Sequence, residues 1–154
     1  MKTSNNFKQL LTFALLITFG LLLRVMFLPA KTLDMGSYLQ WYSYIAKNGI
    51  AASIGSDYFG YNPPFIYLLA LATLTRSFIP PVIAIKLIPF TFDIINAILI
   101  YRIVRIQEPE GTKPLLAALI FWVAPTVMIN SAFWGQTDSL FTCFLLLTVL
   151  LLLK

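Results

Sequence analysis

An all-α fold built on membrane-spanning helices is what this sequence predicts, and three observations carry the prediction. Hydrophobic residues make up 59% of the 154 and charged residues 11%, under half of the ~25% that a soluble domain carries. Mean hydropathy is +0.84. The apolar residues also fall in runs approaching the ~20 that a bilayer-crossing helix needs, separated by short polar knots. The expected architecture is a single domain over 1–154: a polytopic transmembrane helical bundle with an amphipathic interfacial helix in the first extracytoplasmic loop.

The first expected span covers 10–28. Lys2 and Lys8 precede it and no small-x-small cleavage pattern follows, so it reads as an uncleaved span with a cytoplasmic N-terminus. Arg24, near its end, has two readings: a partner for an anionic group, or, more plainly, a side chain snorkelling to the interface. A polar, aromatic loop follows over 29–62. Within it Tyr38, Trp41, Tyr42, Ile45 and Ala46 recur at helical spacing, with Ser37, Gln40, Ser43, Lys47 and Asn48 on the other side. That pattern predicts an amphipathic interfacial helix stopped by Gly49; the same aromatics would also serve as a simple anchoring belt.

Asn62-Pro63-Pro64 then starts a short apolar segment over 63–78. Two prolines fix φ at a helix start. The segment would be about 24 Å long at 1.5 Å per residue, short of the ~30 Å hydrocarbon core, so it is expected to be interfacial or re-entrant. After Pro80-Pro81 a further span covers 82–103 and carries Lys86, Asp93 and Asn96. The stretch from Arg102 to Lys113 is the most charged of the chain, and Glu108 and Glu110 read there as solvated charges. A span over 114–133 contains Pro125. The polar pentad Trp134-Gly135-Gln136-Thr137-Asp138 interrupts the apolar sequence before a last span over 139–153. If the N-terminus and the Arg102–Lys113 loop are both cytoplasmic, an even number of crossings separates them. With 63–78 not crossing, Asp34, Asp57 and Asp138 all face the non-cytoplasmic side.

Composition excludes several chemistries. There is no histidine and one cysteine, Cys143, so serine–histidine triads, histidine-ligated zinc, disulfides and CxxC pairs cannot operate within the chain. Eleven Lys/Arg stand against six Asp/Glu, but they are scattered, which fits cytoplasmic loops and lipid phosphates rather than nucleic acid.

The six carboxylates can be weighed singly. Asp34, just after the first span, could be a general base on a hydroxyl nucleophile or simply a helix-start residue. Asp138 closes a pentad of indole, glycine, amide, hydroxyl and carboxylate that could contact a sugar or a phosphate-bound cation; Thr137 or Asp138 could equally cap the last helix. Asp93, where an isolated charge costs about 2.5–3.5 kcal/mol to insert, should face a bundle interior, with Lys86 two turns away on the same face. Tyr58, Phe59 and Tyr61 offer stacking surfaces for a sugar, and are ordinary interface aromatics as well.

In order along the chain, Leu33-Asp34-Met35 after the first span, the Tyr58-Phe59-Gly60-Tyr61-Asn62-Pro63-Pro64 segment and Trp134-Gly135-Gln136-Thr137-Asp138 resemble motifs of the integral-membrane C-fold (GT-C) glycosyltransferases. The last motif most resembles the GPI-anchor mannosyltransferase-like branch and its prokaryotic relatives, and the diproline segment also resembles the lipid-linked-oligosaccharide glucosyltransferases. The resemblance implies transfer of a monosaccharide, best matched to mannose, from a polyprenyl- or dolichyl-phosphate carrier to an acceptor glycan, lipid or protein at the non-cytoplasmic face. It makes Asp34 the base and places Asp138 and Gln136 near the donor, with Trp134, Tyr61 and Asp57 as further candidate substrate contacts. It fixes no cofactor, and a divalent cation is compatible because metal use varies across the superfamily. A prokaryotic cell membrane is the expected location, the endoplasmic reticulum membrane the alternative. Members are commonly several hundred residues long, so the chain is expected to correspond to an N-terminal portion. A competing expectation is a non-enzymatic membrane subunit or lipid/solute transporter component, with Lys86, Asp93 and Asn96 along a translocation path.

Overall fold

The computed structural model describes the backbone of residues 2–154 and the side chains of 9–154. The side chains of Lys2 and Lys8, on which the expected orientation leans, lie outside the described residues. Helix accounts for 79% of the structure, with no strand among the described residues. Helix α1 spans Lys2–Phe27 and ends before Pro29; α2 spans Leu33–Asn48 and α3 Ile50–Ile54, divided by Gly49 at φ 86°. Helix α4, Pro63–Ala72, has Asn62 at its N-cap and both prolines in its first turn, and it tightens into a 3₁₀ turn over Thr73–Thr75. Helix α5, Pro81–Gln107, is the longest and runs through Pro89. Helix α6, Lys113–Val123, is followed by the one-turn α7, Pro125–Met128, and a π turn over Ile129–Trp134; α8 is Asp138–Leu152.

Two helices are long and apolar enough to cross a membrane: Gln9–Phe27 within α1, and α5. They become three if α6 and its continuation to Trp134 count as one. The expected span over 114–133 is bent by 49°, because Pro125 has no N–H to continue the α6 ladder and its ring excludes the preceding turn.

The packing has two parts. Helices α1, α5, α6 and α8 form a bundle in which α5 is central, touching both α6 and α8 extensively. Gly20 lets α1 close onto α6: a Cβ there would run into the Trp122 indole, whose Nε1 donates to Ile17 O at 3.1 Å. The second part is a layer of α2 and α4 over the first turns of α5. Met35, Tyr38, Tyr42 and Ile45 of α2 bury against Phe65, Ile66 and Leu69 of α4 and Ala84, Ile85 and Ile88 of α5. Both halves of α4 touch α2: Tyr38 packs on Phe65 with ring centroids 5.0 Å apart, and Tyr42 Oη donates to Ala72 O at 3.4 Å. The α2 helix is therefore amphipathic as its spacing indicates, but its buried stripe covers α4 and α5. The aromatics of the Tyr58–Tyr61 segment stack on one another and on α2: Tyr44 on Tyr58 at 4.0 Å, and Trp41 against Tyr61 at 5.6 Å.

Candidate functional site

Two buried cations set the geometry of the bundle, and each sits where a helix ends. Helices leave their last four carbonyls without internal partners, and the dipole there favours positive charge. The Lys86 ammonium, fully buried in α5, donates to Phe27 O at 3.0 Å and Ala30 O at 2.7 Å beyond the end of α1. It also reaches Ala132 O and Phe133 O, both at 2.8 Å, at the end of the π turn. Arg24 does the same for α6, donating to Trp122 O at 2.8 Å and lying 3.8 Å above the Trp122 ring. Its charge is met by Asp93 at 3.1 Å, whose Oδ2 also accepts from Ser131 Oγ at 2.6 Å. Arg24 is completely buried, so the expectation that it snorkels to an interface is corrected: the Asp93 carboxylate, Trp122 O at the end of α6 and Gly20 O within α1 supply what the interface would have. Lys86 and Asp93 have separate partners despite their shared face, because seven residues separate them by about 10 Å along the axis.

By tying the end of α1 to the end of the π turn, Lys86 brings together the two segments that follow them. Asp34 lies in the first turn of α2, where a carboxylate favours the helix dipole. Its Oδ2 accepts from Trp134 Nε1 at 2.7 Å and from Gln136 Nε2 at 2.5 Å. Thr32, at the N-cap, spends its hydroxyl on Trp134 O at 2.9 Å rather than on its own helix. Gly135 makes the turn possible with φ 79°, the left-handed region that β-carbon residues avoid. Space demands glycine as well, since a Cβ would lie 2.6 Å from Met35 Cε and 3.3 Å from Lys86 Cγ. The Gly135 and Gln136 amides both donate to Asn130 O, at 2.9 and 3.0 Å.

Of the residues singled out in the sequence, Asp34, Trp134 and Gln136 meet directly across a separation of about one hundred positions. Tyr61 joins from the α4 side through a 2.6 Å hydrogen bond to the buried Thr137 hydroxyl. Asp138 is exposed at the start of α8, and its Oδ2 accepts from Asn130 Nδ2 at 2.8 Å. Asp57 is exposed in the turn after α3 and is not drawn into this cluster. The Tyr38 phenol lies beneath it. Burial pushes its pKa upward first, then Tyr61, then the negative charges of Asp34 and Asp138.

Both recorded bonds to Asp34 fall on Oδ2, which orients the carboxylate and leaves Oδ1 to accept a proton. Trp134, 45% exposed, adds an indole face beside it. The arrangement can bind a hydroxyl and take its proton. Thr32, Asn130 and Ser131 complete the frame without having been legible as site residues, together with Lys86, which the sequence singled out only for a translocation path. Their signal was polarity inside or beside apolar runs, where such groups seek protein partners. Among the described residues no group of three or more His, Cys, Asp and Glu side chains could hold a metal ion. No protein-family model, curated protein or solved structure matches the sequence.

Proposed function

We propose that this chain is a polytopic membrane glycosyltransferase module that moves a hexose, mannose as the first candidate, from a polyprenyl-phosphate carrier to an acceptor hydroxyl on the non-cytoplasmic face of a cell membrane. The single observation that carries the proposal is the clasp of Asp34 by Trp134 and Gln136. It joins the acidic residue after the first long helix to the aromatic-Gly-Gln-x-Asp motif, the two segments whose resemblance to C-fold enzymes first suggested this chemistry. In the proposed step Asp34 Oδ1 takes the proton of the acceptor hydroxyl as that oxygen bonds to the anomeric carbon. The bond from that carbon to the carrier phosphate breaks, and the phosphate leaves with the electron pair. A positioned base and a fixed carboxylate orientation suit such a step. The phosphate needs a cation; Arg24 and Lys86 are already engaged, and Lys31, exposed three residues before Asp34, is the basic residue nearest it in sequence.

The competing reading ran a translocation path along Lys86, Asp93 and Asn96. It draws less support, because Lys86 is held by four backbone carbonyls and Asp93 by Arg24 and Ser131.

Asp34→Asn tests the proposal. In membranes containing the full native gene product, transfer from polyprenyl-phosphate hexose to acceptor should fall by about 10²–10⁴-fold, the usual contribution of a general base, with protein level and melting behaviour preserved. Undiminished transfer would refute the base assignment.

A further inference from the structure

On the far side of Asn130 from the Asp34 clasp lies a second polar feature. A cavity of about 190 Å³ has Asp93 and Asn96 of α5, Asn130 of the π turn, and Asp138, Ser139 and Thr142 of α8 on its polar side, with Phe121, Thr126 and Val127 completing the wall. Three oxygens of these residues are buried and accept no hydrogen bond: Asp93 Oδ1, Asn96 Oδ1 and Asn130 Oδ1. Asp93 and Asn96 are both fully buried. Four of the donors around the cavity are engaged elsewhere. Asn96 Nδ2 donates to Ser139 O at 2.8 Å, Asn130 Nδ2 to Asp138, Ser139 Oγ to Pro89 O at 3.0 Å, and Thr142 Oγ1 to Asp138 O at 2.8 Å. Three unmet acceptors therefore belong to the residues that line this space. A buried acceptor left unmet is costly, and the residues that carry these three line a single cavity.

We infer that this cavity binds an alkali cation of sodium size. Charge selects the ion's valence. The Arg24 charge is already matched by Asp93 Oδ2, while Asp138 has only an amide as its partner, so the cavity carries one uncompensated negative charge. A monovalent ion neutralises it, whereas a divalent ion would leave a net positive charge beside Arg24. The donor set selects the chemistry: carboxylate, amide and hydroxyl oxygens without sulfur or imidazole suit a hard cation. The volume leaves room for the ion and a few waters at ~30 Å³ each. Asp138 and Thr126 are exposed and form the mouth. The bound ion clamps α5, the π turn and α8 to one another. Because Asn130 O holds the Gly135 and Gln136 amides, ordering Asn130 also steadies Gln136 against Asp34. The inference does not depend on the glycosyltransferase proposal, and its test reads binding rather than transfer.

The test is ²²Na⁺ binding to the purified full chain in detergent micelles, in choline chloride at constant ionic strength, paired with thermal melting in sodium against choline. Saturable binding of one ion per chain and a sodium-specific rise in Tm are expected. Asn96→Leu and Asn130→Leu should each weaken binding at least tenfold, while Thr148→Val at the distant end of α8 should leave it unchanged. Absence of saturable binding together with identical melting in sodium and choline would overturn the inference, because the cavity then holds water alone; this comparison needs no variant. Binding that survives both leucine substitutions would overturn it too. So would displacement of ²²Na⁺ by stoichiometric Mg²⁺, which would mark a divalent site.

Discussion

Replacing Lys86 by methionine removes the charge and shortens the side chain by one heavy atom while leaving it apolar and unbranched. The ammonium has three protons for four carbonyls, all within 2.7–3.0 Å. Hydrogen bonds to a charged group contribute about 1.5–3 kcal/mol each, and the cost of burying the ammonium, several kcal/mol, offsets a large part of that. The variant recovers the burial cost but leaves carbonyls at two helix ends without donors, at about 1–3 kcal/mol for each that finds no water. A net loss of about 3 kcal/mol follows. It should be read as unfolding by SDS titration in mixed micelles, followed by tryptophan fluorescence. A second readout separates this staple from general stability. Asp34→Cys and Gln136→Cys, with Cys143→Ala, should be joined by a short bis-thiol-reactive cross-linker when Lys86 is present and several-fold less in Lys86→Met. Lys86→Arg should not restore it, since a planar guanidinium cannot aim its protons at carbonyls from two converging helix ends. If Lys86→Met unfolds within about 0.5 kcal/mol of wild type and cross-links equally well, the ammonium does not hold these segments together.

Other perturbations test the surrounding frame. Asp93→Ala leaves Arg24 buried without its counter-ion and should cost about 3–5 kcal/mol in the same titration, whereas the paired change Arg24→Leu with Asp93→Leu should recover much of it. Equal losses in both would refute the pairing. Gly135→Ala meets both a left-handed backbone and the Met35 methyl, for a loss of about 1–3 kcal/mol. Adding Met35→Ala should relieve the steric part only, and a Gly135→Ala protein as stable as wild type would disprove the close approach. Tyr61→Phe removes one hydrogen bond, to Thr137, worth about 1 kcal/mol; if the proposed enzyme reading holds, transfer assays should show a smaller defect than Asp34→Asn.

The helical class, the positions of the long apolar helices and the location of the polar islands follow from one-dimensional pattern, because membrane-scale helices need little more than uninterrupted apolar length. The α2 stripe and the diproline start of α4 were equally legible, since periodicity and φ restriction are local properties. Pro125 marked a break, but not the size of the bend, which the following π turn and its contacts set.

What only the tertiary structure decided is which polar groups meet. Asp34 and Gln136 are one hundred and two positions apart, and nothing local indicates that they touch. They touch because Lys86 closes the broken end of α1 onto the broken end of the π turn, and because Gly135 turns the chain back toward Asp34. Face-sharing on α5 suggested that Lys86 and Asp93 belong together, yet each went to the nearest unsatisfied helix end or counter-charge. The physical reason is the same throughout. In a chain this poor in polar groups, every buried carbonyl and charge must find a partner in the protein. Local sequence shows that such groups exist, while the packing of α1, α5 and the π turn determines which partner lies within 3 Å.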